Sequence, residues 1–238
     1  YEDAMFGNPA LDQFKPDVIY IHTTIRNIQQ WPSLGNSDDP AVLVGKQIDH
    51  LKQVWQSLQS RYQAIIIQNN FELPQERVIG NLEFVDPRGG VNFVMTLNQA
   101  LAKAIGEVKN VYVNDIFYLS SKIGLERWHD RQMWYSNKYA LSYEAIPLLA
   151  HNLAALIGAI YGKSKKVLVA DLDNTLWGGV IGDDGVGGIH LGEGNPLGEA
   201  YLEFQRYLKK LHEAGILLGI ASKNEEKNNL ATHTYTNR

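Results

Sequence analysis

Asp171 and Asp173 lie two residues apart at the end of the apolar run Val167-Leu168-Val169-Ala170, within Lys165 to Gly179, KKVLVADLDNTLWGG. The run reads as a buried parallel strand. Asn174 and Thr175 turn the backbone out straight after it, so both carboxylates belong to the strand's carboxyl end, the edge where open α/β sheets bind ligands. Two neighbouring carboxylates repel unless a cation or a shared proton offsets the charge. With a reference pKa of about 3.9, an Asp is an ionised oxygen nucleophile at neutral pH. The chemistry this suggests is phosphoryl transfer through an acyl-phosphate. Asp171 attacks phosphorus, Asp173 protonates the leaving oxygen and later takes a proton from water, and Mg2+ held by both residues brings the anions together. The plainer alternative is that the two Asp residues only cap the turn.

A second strand serves the same edge. Leu197, Tyr201, Phe204, Leu208 and Leu211 recur with the spacing of an amphipathic helix from Asn195 to Ala214, which Gly215 ends. The strand Ile216 to Ala221 follows, and Ser222 then offers a hydroxyl that can hold a phosphoryl oxygen or cap a helix. Between the two strands, Val180 and Ile181, Gly182-Asp183-Asp184-Gly185, then Ile189 and Leu191 predict a β-hairpin flap. No Walker-type Lys-Ser or Lys-Thr follows these glycines.

The motif D-x-D-N-T-L after a hydrophobic strand resembles the first motif of the haloacid dehalogenase (HAD) superfamily of phosphotransferases. Its continuation, Trp177-Gly178-Gly179-Val180-Ile181-Gly182-Asp183-Asp184-Gly185 with Gly188-Ile189 and Leu191, resembles the FkbH-like branch with its subfamily IIIC-type phosphatase domain. The resemblance implies a Mg2+-dependent enzyme with Asp171 and Asp173 as catalytic and metal-binding residues. It implies Thr175, Ser222, Lys223 and Asn224 as phosphate-binding residues. It further implies dephosphorylation of 1,3-bisphosphoglycerate and transfer of glyceryl to an acyl carrier protein. The superfamily's later Lys and acidic motif would fall beyond Arg238, and the tail Ala231 to Arg238 continues no recognisable helix. The 238 residues are therefore not expected to turn over alone. Two other readings stay open: a phosphomonoesterase for another small metabolite, and a non-catalytic module that docks a carrier protein.

The elements that must position this chemistry read as an α/β fold with mostly parallel sheets, and the resemblance implies two three-layer α/β/α domains, the second a truncated HAD Rossmann-like fold. The expected domains are 1–162 and 163–238, incomplete at the N- and C-terminal ends respectively. In the first, β-rich runs at Asp17 to His22, Gln63 to Gln68 and Asn110 to Asn114 alternate with helical patterns around Ala41 to Ser60 and Asn92 to Glu107. A helix from about Ser142 to Ile160 closes this unit, and Tyr161 to Lys166 is a polar linker. The order of elements resembles an SGNH-hydrolase-like domain, with Asn27 corresponding to the oxyanion-hole Asn. The nucleophilic Ser would precede Tyr1, and the fold's Asp-x-x-His fails because Asp130 is followed three residues later by Met133, so ester hydrolysis is not expected. Asn69, Asn70 and Asp115 read as turn formers. Trp128 to Tyr135, rich in aromatic residues, reads as a loop buried on the sheet or as an interface. His22 and His129 lack a metal-like set of neighbours.

Composition narrows the classes. A net charge of -4 with 20% charged residues gives no basic face for nucleic acid. With no membrane-length apolar run and no leader, the expected location is the cytoplasm. The chain has no cysteine, so any thioester must form on a partner's thiol.

Overall fold

A computed structural model describes residues 2–35 and 38–223. The chain divides into two compact units, Tyr1–Ile160 and Tyr161–Arg238. Both are α/β with parallel sheets, and each connection between neighbouring strands of a sheet contains a helix.

The first unit opens with short helices α1 (Glu2–Phe6) and α2 (Pro9–Phe14). Strands β1 (Val18–Ile21), β2 (Ile65–Asn69) and β3 (Val111–Asn114) lie side by side in chain order. Ile21 is level with Gln68, and Asn69 with Asn114, so the strands finish together at one carboxyl edge. Between them run α3 (Pro40–Arg61) and α4 (Gly90–Gly106). Helix α3 starts because the Asp39 side chain accepts from Ala41 N and Pro40 presets the first turn. It buries Leu43, Val44, Ile48, Leu51, Val54, Trp55 and Leu58 along one stripe. That stripe joins Phe93, Val94, Leu97 and Leu101 of α4 with Ile66 and Val111 of the sheet in the main core. Ile67 alternates to the opposite face and is fully buried there.

Beyond β3 come α5 (Ile116–Ile123), α6 (Leu125–Trp128), α7 (Arg131–Asn137) and α8 (Ala145–Ile160). The aromatic segment is thus two short helices rather than a loop. Gly124, at φ 96°, ends α5, and the Asp130 carboxylate starts α7 by accepting from Met133 N. Trp128 is buried with Ile116, Leu119, Leu141, Ala145 and Leu149, while Tyr135 is exposed.

In the second unit β4 (Val167–Ala170) pairs in parallel with β5 (Leu217–Ile220), with Val167 level with Leu217 and Ala170 with Ile220. Between them lie a single helical turn, α9 (Ile181–Asp184), and α10 (Pro196–Glu213), capped by Asn195. Two expectations are corrected here. Strand β4 is not buried throughout, because Val167 and Val169 face away from the packed side, and only Ala170 is buried. The flap is not a β-hairpin. Gly178 and His190 form one antiparallel bridge, and Ile181 to Asp184 coil into α9, which Gly185 stops at φ 66°. The Asp184 carboxylate accepts from Val180 N at 2.8 Å, and this side-chain cap favours the helical turn over a strand. Among the described residues no helix is long and apolar enough to cross a membrane.

Candidate functional site

The chain leaves β4 at Ala170 and turns tightly. Leu176 N and Thr175 N both donate to Leu172 O, at 2.8 and 3.2 Å, and Asn174 takes the left-handed conformation at φ 54°. Asn tolerates that region better than most side chains, which accounts for its place in the motif. Leu172 is buried with Trp177 and Ile181, and Leu176, Ile189 and Leu191 pack against them. Asp171 and Asp173 therefore flank one buried anchor.

Each carboxylate has a defined partner. Asp171 is exposed and its Oδ1 accepts from Leu172 N at 2.8 Å. Asp173 Oδ1 accepts twice, from Trp177 Nε1 at 3.0 Å and from Ile181 N at 3.1 Å. Asn174 Oδ1 accepts from Gly179 N at 2.9 Å. With Asp184 on Val180 N, the three successive backbone N–H groups of 179 to 181 are all held by side chains. Helix α10 braces the turn through Gln205 Nε2, which donates to Leu176 O at 2.7 Å, and through Tyr201 Oη, which donates to Asn174 O at 3.4 Å. Gly178 permits this approach, since a Cβ there would lie 2.9 Å from Tyr201 Cε2 and 3.2 Å from His190 Cβ.

Strand pairing brings the other end of the site to the same edge. Ala221 N donates to Ala170 O at 3.0 Å, so Ala221 stands beside Asp171 and half-buried Ser222 lies one residue farther. Thr175 is half-buried in the turn after β4, and Lys223 is exposed after Ser222. Asn224 lies outside the described residues. The protein groups at this edge are hard oxygen donors, suited to Mg2+, which keeps several waters and needs few protein ligands. Among the described residues no set of three or more His, Asp or Glu side chains is arranged to hold a metal.

The first unit's carboxyl edge carries a polar network centred on Asn69, which the sequence reading gives only as a turn former, and on Asn114. Tyr20 Oη donates to Asn69 Oδ1 at 2.8 Å and lies 3.0 Å from His22 Nδ1. Asn114 Nδ2 donates to the same Asn69 oxygen at 2.7 Å, and Asn152 Nδ2 donates to Asn114 Oδ1 at 2.8 Å. Asn69 and Asn114 are fully buried. Asn70 and Asp115 pair with each other across the ends of β2 and β3. Asn70 Nδ2 donates to Asp115 Oδ1, Asn70 Oδ1 accepts from Phe117 N, and the Asp115 carboxylate starts α5. Asn27 Oδ1 accepts from Thr24 N, closing the turn after β1. The sequence reading missed Glu72, which is fully buried and faces His129. An acidic residue between Phe71 and Leu73, just past an apolar strand, was the available signal.

A family profile described as "FkbH, N-terminal domain" matches residues 4–158. Among solved structures, the N-terminal part of a Bacteroides fragilis protein containing a phosphatase domain, complexed with Mg, aligns at TM-score 0.82 and 29% identity. The alignment covers 95% of this chain and 60% of that one, so the chain spans about three-fifths of its relative's length. No curated protein gives a significant match.

Proposed function

The chain belongs to the FkbH N-terminal domain family, and from that premise we propose that its second unit carries the active site of a Mg2+-dependent HAD-type phosphatase acting through an aspartyl-phosphate. The observation that supports this most directly is the delivery of Asp171 and Ser222 to one edge by adjacent parallel strands, in a chain similar to a Mg-bound phosphatase-domain structure.

In the proposed reaction an Asp171 oxygen attacks phosphorus, and the bond from phosphorus to the leaving oxygen breaks. Asp173 supplies a proton to that oxygen where it needs one. Water then attacks the aspartyl-phosphate, Asp173 takes its proton, and inorganic phosphate leaves with the Asp171 carboxylate restored. Thr175, Ser222, Lys223 and Asn224 hold the phosphoryl oxygens. Mg2+ held by oxygens of Asp171 and Asp173 would offset the repulsion between nucleophile and phosphate when bound.

The finer reading is of subfamily IIIC type: a cytoplasmic enzyme that dephosphorylates 1,3-bisphosphoglycerate and passes glyceryl to an acyl carrier protein in polyketide biosynthesis. The 238 residues hold no cysteine, so in this reading the thioester forms on the carrier's thiol. In this reading the first unit is SGNH-hydrolase-like in fold, with Met133 where an Asp-x-x-His starting at Asp130 would place its His.

The test is phosphate release by the full-length protein with Mg2+, using acetyl phosphate and 1,3-bisphosphoglycerate. Asp171→Asn is expected to lower the rate at least about 1,000-fold, since it removes the nucleophile on which the covalent route depends. Release by the wild type from acetyl phosphate alone would keep the phosphatase and remove the glyceryl assignment. Equal rates for variant and wild type would overturn the mechanism.

A further inference from the structure

We propose that Trp177 is a positioning residue for Asp173, and that its indole N–H and the Ile181 backbone N–H lock the carboxylate and the base of the flap into one unit. The inference rests on the phosphatase reading above and adds to it a role for the Trp-Gly-Gly sequence, which the reaction itself does not use.

Two donors converge on one oxygen. Trp177 Nε1 lies 3.0 Å and Ile181 N 3.1 Å from Asp173 Oδ1. Hydrogen bonds to an ionised acceptor are stronger and more directional than neutral ones, so a pair of them fixes the plane of the carboxylate. One donor comes from the turn that leaves β4 and the other from the first residue of α9, so this oxygen joins the motif to the flap. Rotating Asp173 breaks both bonds, and lifting the flap breaks the Ile181 bond. The carboxylate orientation and the flap position are thus set together.

The indole is itself held. Trp177 is 3% exposed and packs with Leu172 and Ile181, with Leu176, Ile189 and Leu191 around them. A buried indole N–H is stabilised by an acceptor, and Asp173 supplies one to Trp177. No other apolar side chain fills this space and also donates a hydrogen bond, since Phe, Leu and Met lack the donor. The glycines complete the arrangement. Gly178 lets α10 come close beneath the turn, and Gly179, at φ 97°, turns the chain so that residues 179 to 181 present successive N–H groups to Asn174, Asp184 and Asp173.

The experiment uses the full-length protein with three variants and two readouts: Mg2+-dependent phosphate release from acetyl phosphate, and metal-free amide exchange at Ile181. Trp177→Phe keeps an apolar ring and removes the donor. Its kcat is expected to fall about 10-fold with KM changed less than about 2-fold, and Ile181 exchange to quicken about 10-fold. Asp173→Asn keeps an acceptor oxygen, so Ile181 protection should persist while phosphate release is lost. Asp173→Ala removes the acceptor and should lose both. This pair tests the lock even if Trp177→Phe does not fold. Wild-type kcat in a folded Trp177→Phe protein, or equal Ile181 protection in Asp173→Ala and wild type, would overturn the positioning role. Loss of activity in Asp171→Asn alongside either result would leave the phosphatase reading standing, whereas unchanged activity in Asp171→Asn would remove that reading.

Discussion

Glu72 Oε1 and His129 Nε2 face each other at 3.5 Å in the interior of the first unit, with side chains 0% and 6% exposed, and among the described residues neither atom has a hydrogen-bond partner. Burial pushes the Glu72 carboxyl up to about 7, against the smaller pull of its own backbone N–H, that of Ile25 and the Arg26 charge. Burial also lowers the His129 value, and the nearby Arg26 charge works the same way, while a backbone hydrogen bond with Ala140 opposes them. Near neutrality the pair therefore carries less charge than two exposed groups would, with a Glu72 proton available to lie between them.

This pair makes stability depend on pH. Between the unfolded Glu value of 4.5 and the folded value of about 7, the native state binds more protons than the unfolded state, so the Glu72 contribution falls as pH rises through that window. The His129 contribution has the opposite sign and is lost as pH falls below its unfolded value of 6.5. Glu72→Gln removes only the first effect. Relative to wild type, the variant should gain up to about 3 kcal/mol between about pH 4 and pH 8. Urea unfolding at the two pH values checks this, and a difference that does not change with pH would refute it.

Asn114→Ala should destabilise the first unit by about 2 to 3 kcal/mol. Asn114 is fully buried, donates to Asn69 Oδ1 and accepts from Asn152 Nδ2, so truncation leaves the Asn152 donor without this acceptor and opens a void. Asn152→Ala is the comparison. Asn152 sits at the end of the network and is only half-buried, so its loss should cost about 1 kcal/mol. Chemical denaturation ranks the two, and an equal cost would show that the network is not centred on Asn114.

Adjacent glycines in the flap should respond differently to a methyl group. A Cβ at Gly188 would lie 2.3 Å from Asp184 O, whereas a Cβ at Gly187 meets nothing within 4 Å. Gly188→Ala must therefore displace the end of α9, at a cost of about 1 to 3 kcal/mol, and Gly187→Ala should lie within about 0.5 kcal/mol of wild type. Amide exchange at His190, whose N–H donates to Gly178 O at 2.8 Å, reads the flap directly. Equal protection in both variants would contradict this packing.

The position of the Asp pair at a strand end is legible in the sequence because the rules that place it are local. An apolar run of four residues followed by Asp-x-Asp-Asn-Thr reads as a strand ending in a turn, and both Asp residues do follow β4. The alternation of β-rich runs with helical stripes reads as parallel sheets, and β1, β2 and β3 pair in that sense, as do β4 and β5. Strand ends were less legible, with Ile216 and Ala221 falling outside β5, because pairing rather than composition ends a strand.

The flap shows where local reading stops. Val180-Ile181 and Ile189-Leu191 alternate as a hairpin would, yet the Asp184 side chain takes the Val180 N–H and Asp173 takes that of Ile181, so the backbone winds into α9. Periodicity reports which residues prefer to be buried, and it carries no information on which side chain accepts which donor.

From residue types and spacing alone, the place of Asp171 and Asp173 just past an apolar strand and the α/β class followed, since each depends on a short stretch of chain. Tertiary structure alone decided that Asp173 is tied to Trp177 and Ile181, that Glu72 meets His129, and that Asn69, Asn114 and Asn152 share one network. The physical reason is common to all three. A buried polar atom must find a partner or bear the cost of desolvation, and which partner is within reach is settled only when separate elements pack together.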